Sequence, residues 1–238
     1  MLNKVKSLIP NSVKKYLRSL TRARAFVNKS YGQEGEDLLL ARIFNDGKPG
    51  TYVDVGAHHP FRFSNTYLFY QRGWHGINID AMPGSMLPFH RHRRRDINLE
   101  MGIALQPHEL RFHVFAEPAL NTFDLQLAQE RRQRGYAINA EVMVKCVPLS
   151  DILGRHAIQF DGGNSFLSVD VEGLDLEVLR SSDWALYRPS MVVVEILGKN
   201  LDEILTNETT KFLQERDYGL YAKLGACVIF KRNDFRIL

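Results

Sequence analysis

Cysteine is scarce in this sequence: 2 of 238 residues, Cys146 and Cys227. Both sit inside apolar, strand-like stretches. They read as small core residues of a reducing compartment, and a disulfide framework is excluded. Long hydrophobic runs are missing too. No segment approaches the roughly 18 apolar residues that cross a bilayer, and the N-terminus lacks the uninterrupted apolar core of a secretory signal. The expected location is the cytoplasm. Acidic residues are absent before Glu34, whereas Lys4, Lys6, Lys14, Lys15, Arg18, Arg22, Arg24 and Lys29 all precede it. There is no G-x-G-x-x-G fingerprint, no H-x-x-x-H pair and no Cys/His grouping of zinc spacing. These absences count against a nicotinamide dehydrogenase and a zinc centre.

What remains is the composition of a soluble globular protein, 45% hydrophobic and 24% charged, of a length suited to one large domain. The net charge of +4 is unevenly spread. Residues 1–29 form a basic arm in which Val13, Tyr16, Leu17 and Leu20 make one apolar helical stripe, begun near Pro10. Such a stripe docks on the domain or on a second subunit, or lies peripherally on the inner face of a membrane. A second basic cluster, HRHRRR from His90 to Arg95, reads as a solvated face or as an attractor of nucleic acid, anionic lipid or phosphorylated substrates.

From residue 30 to 238 the pattern is that of one α/β domain. Strand-like runs fall at 51–55, 76–80, 96–100, 110–116, 141–147, 165–170, 190–196, 218–224 and 226–231. Helical patterns at 64–72, 84–91, 150–156, 173–182 and 201–216 separate most of them. Alternation of this kind predicts right-handed crossovers and a mainly parallel sheet, covered by helices on both faces. The last two strands flank a Leu-Gly turn too short for a crossover, so they pair antiparallel. The predicted fold is a Rossmann-like, mainly parallel seven-stranded sheet ending in an antiparallel hairpin, the layout of class I methyltransferases. The longest stretch without clear periodicity, 117–139, carries Arg131, Arg132 and Arg134 and reads as a lid or binding loop.

In such a sheet ligands bind at the carboxyl ends of the strands. The first strand ends in Asp54, followed by Gly56, whose lack of a side chain allows close backbone approach. Asp54 suits a cationic amino group. Ser64, Asn65 and Thr66 open the next helix, with N–H groups suited to a carboxylate. A ligand with both groups is the methionyl end of S-adenosylmethionine. The second strand ends in Asp80, placed for ribose hydroxyls. Gly102 and Ile103 offer an adenine wall, or simply core packing. The fourth ends in Asp170 and Glu172, the fifth in Glu195, all on one rim. Glu172 and Asp175 also suit a helix start. His58 and His59 are adjacent and cannot share one metal as a helical pair would. An oxygen-ligand ion such as Mg²⁺ on Asp170 and Glu195 is the metal alternative.

With those residues placed, the sequence resembles the FkbM family of S-adenosylmethionine-dependent methyltransferases. The matching stretches are SYGQEGEDLLL, TYVDVGAHHPFRFSNTYLFYQRGWHGINID, FLSVDVEGLDLEVL and NETTKFLQERDYGLYAKLGACVIFKR. The resemblance implies O-methylation of a sugar hydroxyl in a nucleotide-linked, glycan or lipopolysaccharide precursor, or of a natural product. It implies donor contacts from Asp54, Gly56, Ala57, Ser64, Asn65 and Thr66, with Asp80 on the ribose. Asp170-Val-Glu172-Gly173 matches the family's D-x-E-G element. Two departures stand out: His58 where many members have Asn, and Ala81 where many have Pro.

The expected chemistry is in-line methyl transfer with removal of the alcohol proton. Asp170 or His58 is the candidate base, with Glu172 or Glu195 orienting it or holding a metal. The basic residues of 117–139, with HRHRRR, are candidates for acceptor phosphates. DNA is not an expected partner. An RNA methyltransferase and a noncatalytic binding module are the competing classes; the first lacks an aromatic stacking platform beside HRHRRR, and acids at four strand ends argue against the second.

Overall fold

Alternation of apolar and polar residues decides how the central strands are covered. In the computed structural model, which describes residues 10, 12–14, 27–160, 163–198 and 200–237, β1 (Thr51–Val55) pairs in parallel with β2 (His75–Asp80) and β7 (Ser165–Val169). β3 (Ile97–Glu100) continues beyond β2 and β8 (Met191–Glu195) beyond β7, both parallel. β9 (Tyr218–Leu224) and β10 (Cys227–Arg232) close the sheet, β10 running antiparallel to both β8 and β9. The seven-stranded order is β3-β2-β1-β7-β8-β10-β9. It reverses direction beside β1, where a crevice opens at the strand ends.

From residue 27 onward the described residues hold eight helices: α1 (Glu36–Ile43), α2 (Tyr67–Gln71), α3 (Met86–His92), α4 (Leu125–Gln133), α5 (Leu149–Arg155), α6 (Asp175–Arg180), α7 (Leu201–Thr206) and α8 (Glu208–Gln214). Leu40, Ile43, Phe69 and Trp74 pack on the face made by Tyr52, Phe166, Met191, Val193 and Ile229. On the opposite face α5 to α8 bury Ile152, Val178, Ile204 and Leu213 against Val53, Ile77, Leu167 and Val192. Among the described residues no helix is long and apolar enough to cross a membrane.

The predicted sheet is therefore present, but two expected strands lie outside it. β5 (His108–Phe115) and β6 (Ile138–Val147) pair antiparallel with each other and, with β4 (Gly102–Ile103), form a second sheet of three strands. The 201–216 helix is two, broken at Asn207, whose side chain accepts from the Thr209 amide at 2.8 Å to start α8. The 117–139 stretch holds a 3₁₀ turn at 118–120 and α4, capped by Asp124 on the Leu127 amide at 3.0 Å. That helix has no apolar stripe because only Ala128 is buried on it; periodicity is silent where a helix packs so little. Most of the basic arm, including Tyr16, Leu17 and Leu20, lies outside the described residues.

HRHRRR needs the largest correction. Arg93 is wholly buried. Its Nε donates to Asp96 Oδ2 at 2.9 Å, and its Nη2 to Tyr52 OH at 2.8 Å and Thr66 Oγ1 at 3.0 Å. Tyr52 OH and the Asn78 side chain donate to Asp96 in turn. Thr66 Oγ1 donates to Asp54 at 2.9 Å. The guanidinium ties α3 to β1, β2 and the start of α2 beneath the strand ends. Arg95 stacks on the Tyr70 ring, 3.8 Å from its centre. A single solvated face is ruled out, and so is Arg93 as a phosphate ligand.

Candidate active site

The crevice begins at the turn after β1. Gly56 has φ 82°, and a Cβ there would lie 1.7 Å from the Asp170 carbonyl oxygen. Only glycine lets this turn cross the end of β7. The amides of Gly56 and Ala57 donate to Ile79 O at 2.9 and 3.0 Å, which locks the ends of β1 and β2 together. Asp80 then accepts the His58 amide at 2.8 Å on one oxygen and the Met82 amide at 2.8 Å on the other. Each carboxylate oxygen keeps a lone pair for a ligand hydroxyl. Burial raises the Asp80 pKa, and the Met82 and His58 amides lower it.

A cavity of about 930 Å³, counting its open mouth, follows from this framework. Gly56, His58, Asp80 and Ala81 line one side of it. Gly102, Ile103, Asp170 and Glu172 line it as well, so eight of the expected residues meet in one place. His58 holds a left-handed backbone at φ 53°. Its ring faces Phe63, 6.1 Å away and near parallel, and its Nε2 lies 3.4 Å from Arg62 Nη1. Arg62 also pairs with Glu117 at 3.0 Å, joining the loop after β1 to the 3₁₀ turn. Burial, then Arg62 and His59, lower the His58 pKa below its ordinary value.

The acidic end carries the strongest electrostatics. Asp170, Glu172 and Glu195 each bring an oxygen within 4.8 Å of the others. Glu172 stands at φ 56°, held by an ion pair with Arg131 and by Thr122 Oγ1 donating to its carbonyl at 2.7 Å. Arg131 also donates to Leu120 O at 2.7 Å. Asp170 Oδ1 is buried with no hydrogen-bond partner. Burial and then the Glu195 carboxylate push Asp170 well above the usual carboxylate range. Burial, then Glu172, push Glu195 up to about 7. Asp175 accepts the Val171 and Gly173 amides at 3.1 and 3.2 Å and so shapes the turn beneath the cluster.

Other expected residues sit elsewhere. Asp54 is 5% exposed and does not line the cavity; it accepts from Thr66 below the floor. Burial raises it to about 6 against the lowering by Thr66 and Arg93. The Ser64 amide already donates to Tyr31 O at 2.9 Å, and Ser64 Oγ accepts the Tyr67 amide at 3.1 Å. Neither group is free for a ligand carboxylate, because the chain at residues 30–32 runs over the start of α2. Ala57 packs against Met86 and Phe89. Glu195 belongs to the acidic cluster but does not line the cavity. The structure adds Gln33, Met101, Phe112, Asn121 and Phe123 to the lining. Phe112 has a signal in the alternation of its strand, and Gln33 lies in the quoted SYGQEGEDLLL. Asn121, which accepts the Phe115 amide at 2.8 Å, has none.

The chain matches the Methyltransferase FkbM domain over residues 54–220. No curated protein matches it. Among solved structures it is similar to a methyltransferase FkbM from Methylobacillus flagellatus, with 17% identity and a TM-score of 0.46, over 76% of this chain and 43% of that one. It is also similar to a precorrin-6y C5,15-methyltransferase from Geobacter metallireducens, with 10% identity and a TM-score of 0.42, over 86% and 90% of the two chains. A methyltransferase from Geobacter sulfurreducens shares 15% identity at a TM-score of 0.40, over 96% and 94%. The family domain spans the Gly56 turn, Asp80 and the acidic cluster, and the chain belongs to the FkbM methyltransferase family.

Proposed function

We propose that this methyltransferase draws its methyl group from S-adenosylmethionine and passes it to a sugar hydroxyl of a nucleotide-linked or glycan precursor. One observation carries the reading: the buried, unpartnered Asp170 Oδ1 at the floor of a cavity that also presents Gly56 and Asp80. These residues fit the donor. The glycine turn admits its amino-acid end, Asp80 can accept from ribose hydroxyls, and Met101, Ile103 and Phe112 supply an apolar wall for the base. When bound, the donor supplies an electrophilic methyl group on a sulfonium.

The chain's own work is to align the acceptor hydroxyl and take its proton. Asp170, with Glu195 sharing its charge, is the proposed base. His58 stands across the cavity as the alternative. The two differ in pH dependence. A base must be deprotonated, so a raised Asp170–Glu195 pair gives a rate that climbs through pH 7 and above. A lowered His58 is already neutral there, and its rate is flat from neutral pH upward. The limb of kcat/KM against pH separates them. The oxygen set of Asp170, Glu172 and Glu195 also suits a hard divalent ion such as Mg²⁺, which would compete with Arg131 for Glu172.

Arg131 lies on α4 against the acidic cluster, and Arg132 and Arg134, beside it in sequence, are exposed. We assign these two to acceptor phosphates. Arg132→Ala/Arg134→Ala should raise KM for a phosphate-bearing sugar about tenfold, and leave KM for the free sugar unchanged. Equal effects on both acceptors would sink the assignment. For the donor, calorimetry should show binding of S-adenosylmethionine and none of NAD. Labelled methyl should then enter sugar nucleotides and not RNA, the reverse result identifying an RNA methyltransferase.

A further inference from the structure

Oxygen atoms without partners gather on one side of the strand ends. Glu36, in the first turn of α1, is 1% exposed. Its Oε2 accepts the Glu34 amide at 3.0 Å, and its Oε1 accepts nothing. Asn65 turns its amide toward Ser168 Oγ at 3.2 Å, which leaves its Oδ1 buried and also without a donor. Gly32 sits between them: a Cβ there would be 2.6 Å from Glu36 Oε2 and 3.0 Å from Asn65 Oδ1. Carboxylate and carbonyl therefore meet over one backbone position, where an added side chain would have to push the Glu36 carboxylate aside. The next residue, Gln33, lines the cavity, whereas Glu36 and Asn65 themselves lie outside its lining. Two residues beyond Ser168 stands Asp170, another group with a buried oxygen left unpaired.

The alternation of the strands explains the gathering. Tyr52, Phe166, Met191, Val193 and Ile229 make the apolar face under α1 and α2. In the same register Asp54 stands opposite Ser168, and Cys227 opposite Glu195. The face thus turns from hydrocarbon to acceptors as the strands end. Burial, then the neighbouring Glu36, raise the Cys227 thiol and keep it protonated, so it offers Glu36 a weak S–H donor and no positive charge. Buried carboxylate and amide oxygens left without donors are costly. Acceptors converging with only a weak thiol donor beside them form a receptor for a compact cation with several N–H groups.

We propose that Glu36 and Asn65 receive the α-ammonium of the methyl donor, which extends donor recognition from the 54–220 family domain onto α1. The assignment rests on the S-adenosylmethionine reading above. It also gives the SYGQEGED segment a role: its glycine makes room, its glutamine lines the cavity and its first helical acid holds the cation. Asp54, one layer down, is thereby relieved of that task.

Titration calorimetry with S-adenosylhomocysteine, its desamino analogue and methylthioadenosine tests the assignment without turnover. Wild type should bind S-adenosylhomocysteine at least about tenfold more tightly than the desamino analogue. Glu36→Gln should remove most of that difference, and leave methylthioadenosine affinity within about twofold. Glu36→Gln/Asn65→Asp, which moves the charge to the neighbouring side chain, should restore most of the preference. Three results overturn the proposal: wild type indifferent to the amino group, Glu36→Gln weakening all three ligands alike, or a Mg²⁺ binding heat that Glu36→Gln abolishes. The wild-type comparison decides the matter even if Glu36→Gln does not fold. Failure of wild type to bind S-adenosylhomocysteine at all overturns the donor reading itself, and is thereby told apart from failure of the Glu36 assignment.

Discussion

Asp170→Asn lowers kcat by about 10²–10⁴-fold while donor affinity stays within about threefold: this is the expected result if Asp170 is the base. The substitution is nearly isosteric, and the backbone does most of the structural work at this position. The Asp170 amide continues the ladder by donating to Val55 O at 3.0 Å, and its carbonyl oxygen lies against Gly56. What asparagine removes is the carboxylate, whose Oδ1 is buried without a partner. Stability should move the other way. An acid whose folded pKa is raised binds more protons in the folded state than in the unfolded chain. Folding stability therefore falls as pH rises from the unfolded value near 4 through the folded one. Asp170, pressed by burial and Glu195, contributes such a fall, and an uncharged amide in its place cannot. The variant should melt at a higher temperature than wild type at pH 8, and the gap should close at pH 5. A variant with normal turnover, or one that loses activity and melting temperature together, would remove Asp170 from the role. His58→Ala is the companion measurement. If it alone abolishes the pH limb, the proton goes to the imidazole.

The strand ends were legible because each closes a short, mostly apolar run: TYVDV, GINID, SFLSV and MVVVE are buried along their lengths. Strand type, order of use and the terminal hairpin follow from those runs and their spacing, so the topology and the meeting of Gly56, Asp80 and Asp170 could be expected. Depth could not. Asp54 and Gly56 are two residues apart, yet one faces Thr66 under the floor and the other lines the cavity. Alternation gives the face of a strand and not the layer at which a cavity begins. Residues whose partners are distant in sequence were illegible for a different reason. Glu172 looks like a helix-start acid until Arg131, 41 residues earlier, is folded against it. Asn121 has no pattern at all. The 110–116 and 141–147 strands alternate as the main strands do, and nothing in their composition says that they pair with each other outside the main sheet.

Arg93 is the extreme case of that blindness, and it yields the largest expected effect on stability. Within HRHRRR it looks like one solvated cation among several. Its partners Tyr52 and Thr66 lie 41 and 27 residues away, and its side chain is 0% exposed. Arg93→Met keeps an apolar stem of similar length but leaves Asp96 buried without its guanidinium. Tyr52 OH and Thr66 Oγ1 lose a donor at the same time. Breaking one side of a buried ion pair costs about 3–5 kcal/mol. For a chain of this size that is a fall in melting temperature of roughly 6–20 °C. The loss should also depend on pH. Burial raises Asp54 to about 6, and Arg93 acts to hold it down. Without Arg93 the folded-state pKa of Asp54 rises further, so the window in which folding takes up a proton widens upward. Stability then declines with pH over a longer range, and the deficit of Arg93→Met is larger at pH 8 than at pH 5. Because Thr66 bridges Arg93 to Asp54 beneath the Gly56 turn, donor affinity should weaken in the same variant even where it remains folded. Arg91→Met and Arg94→Met, neighbours with exposed side chains, should melt within about 2 °C of wild type. Equal melting temperatures for all three variants would return Arg93 to the solvated face that its sequence context suggests.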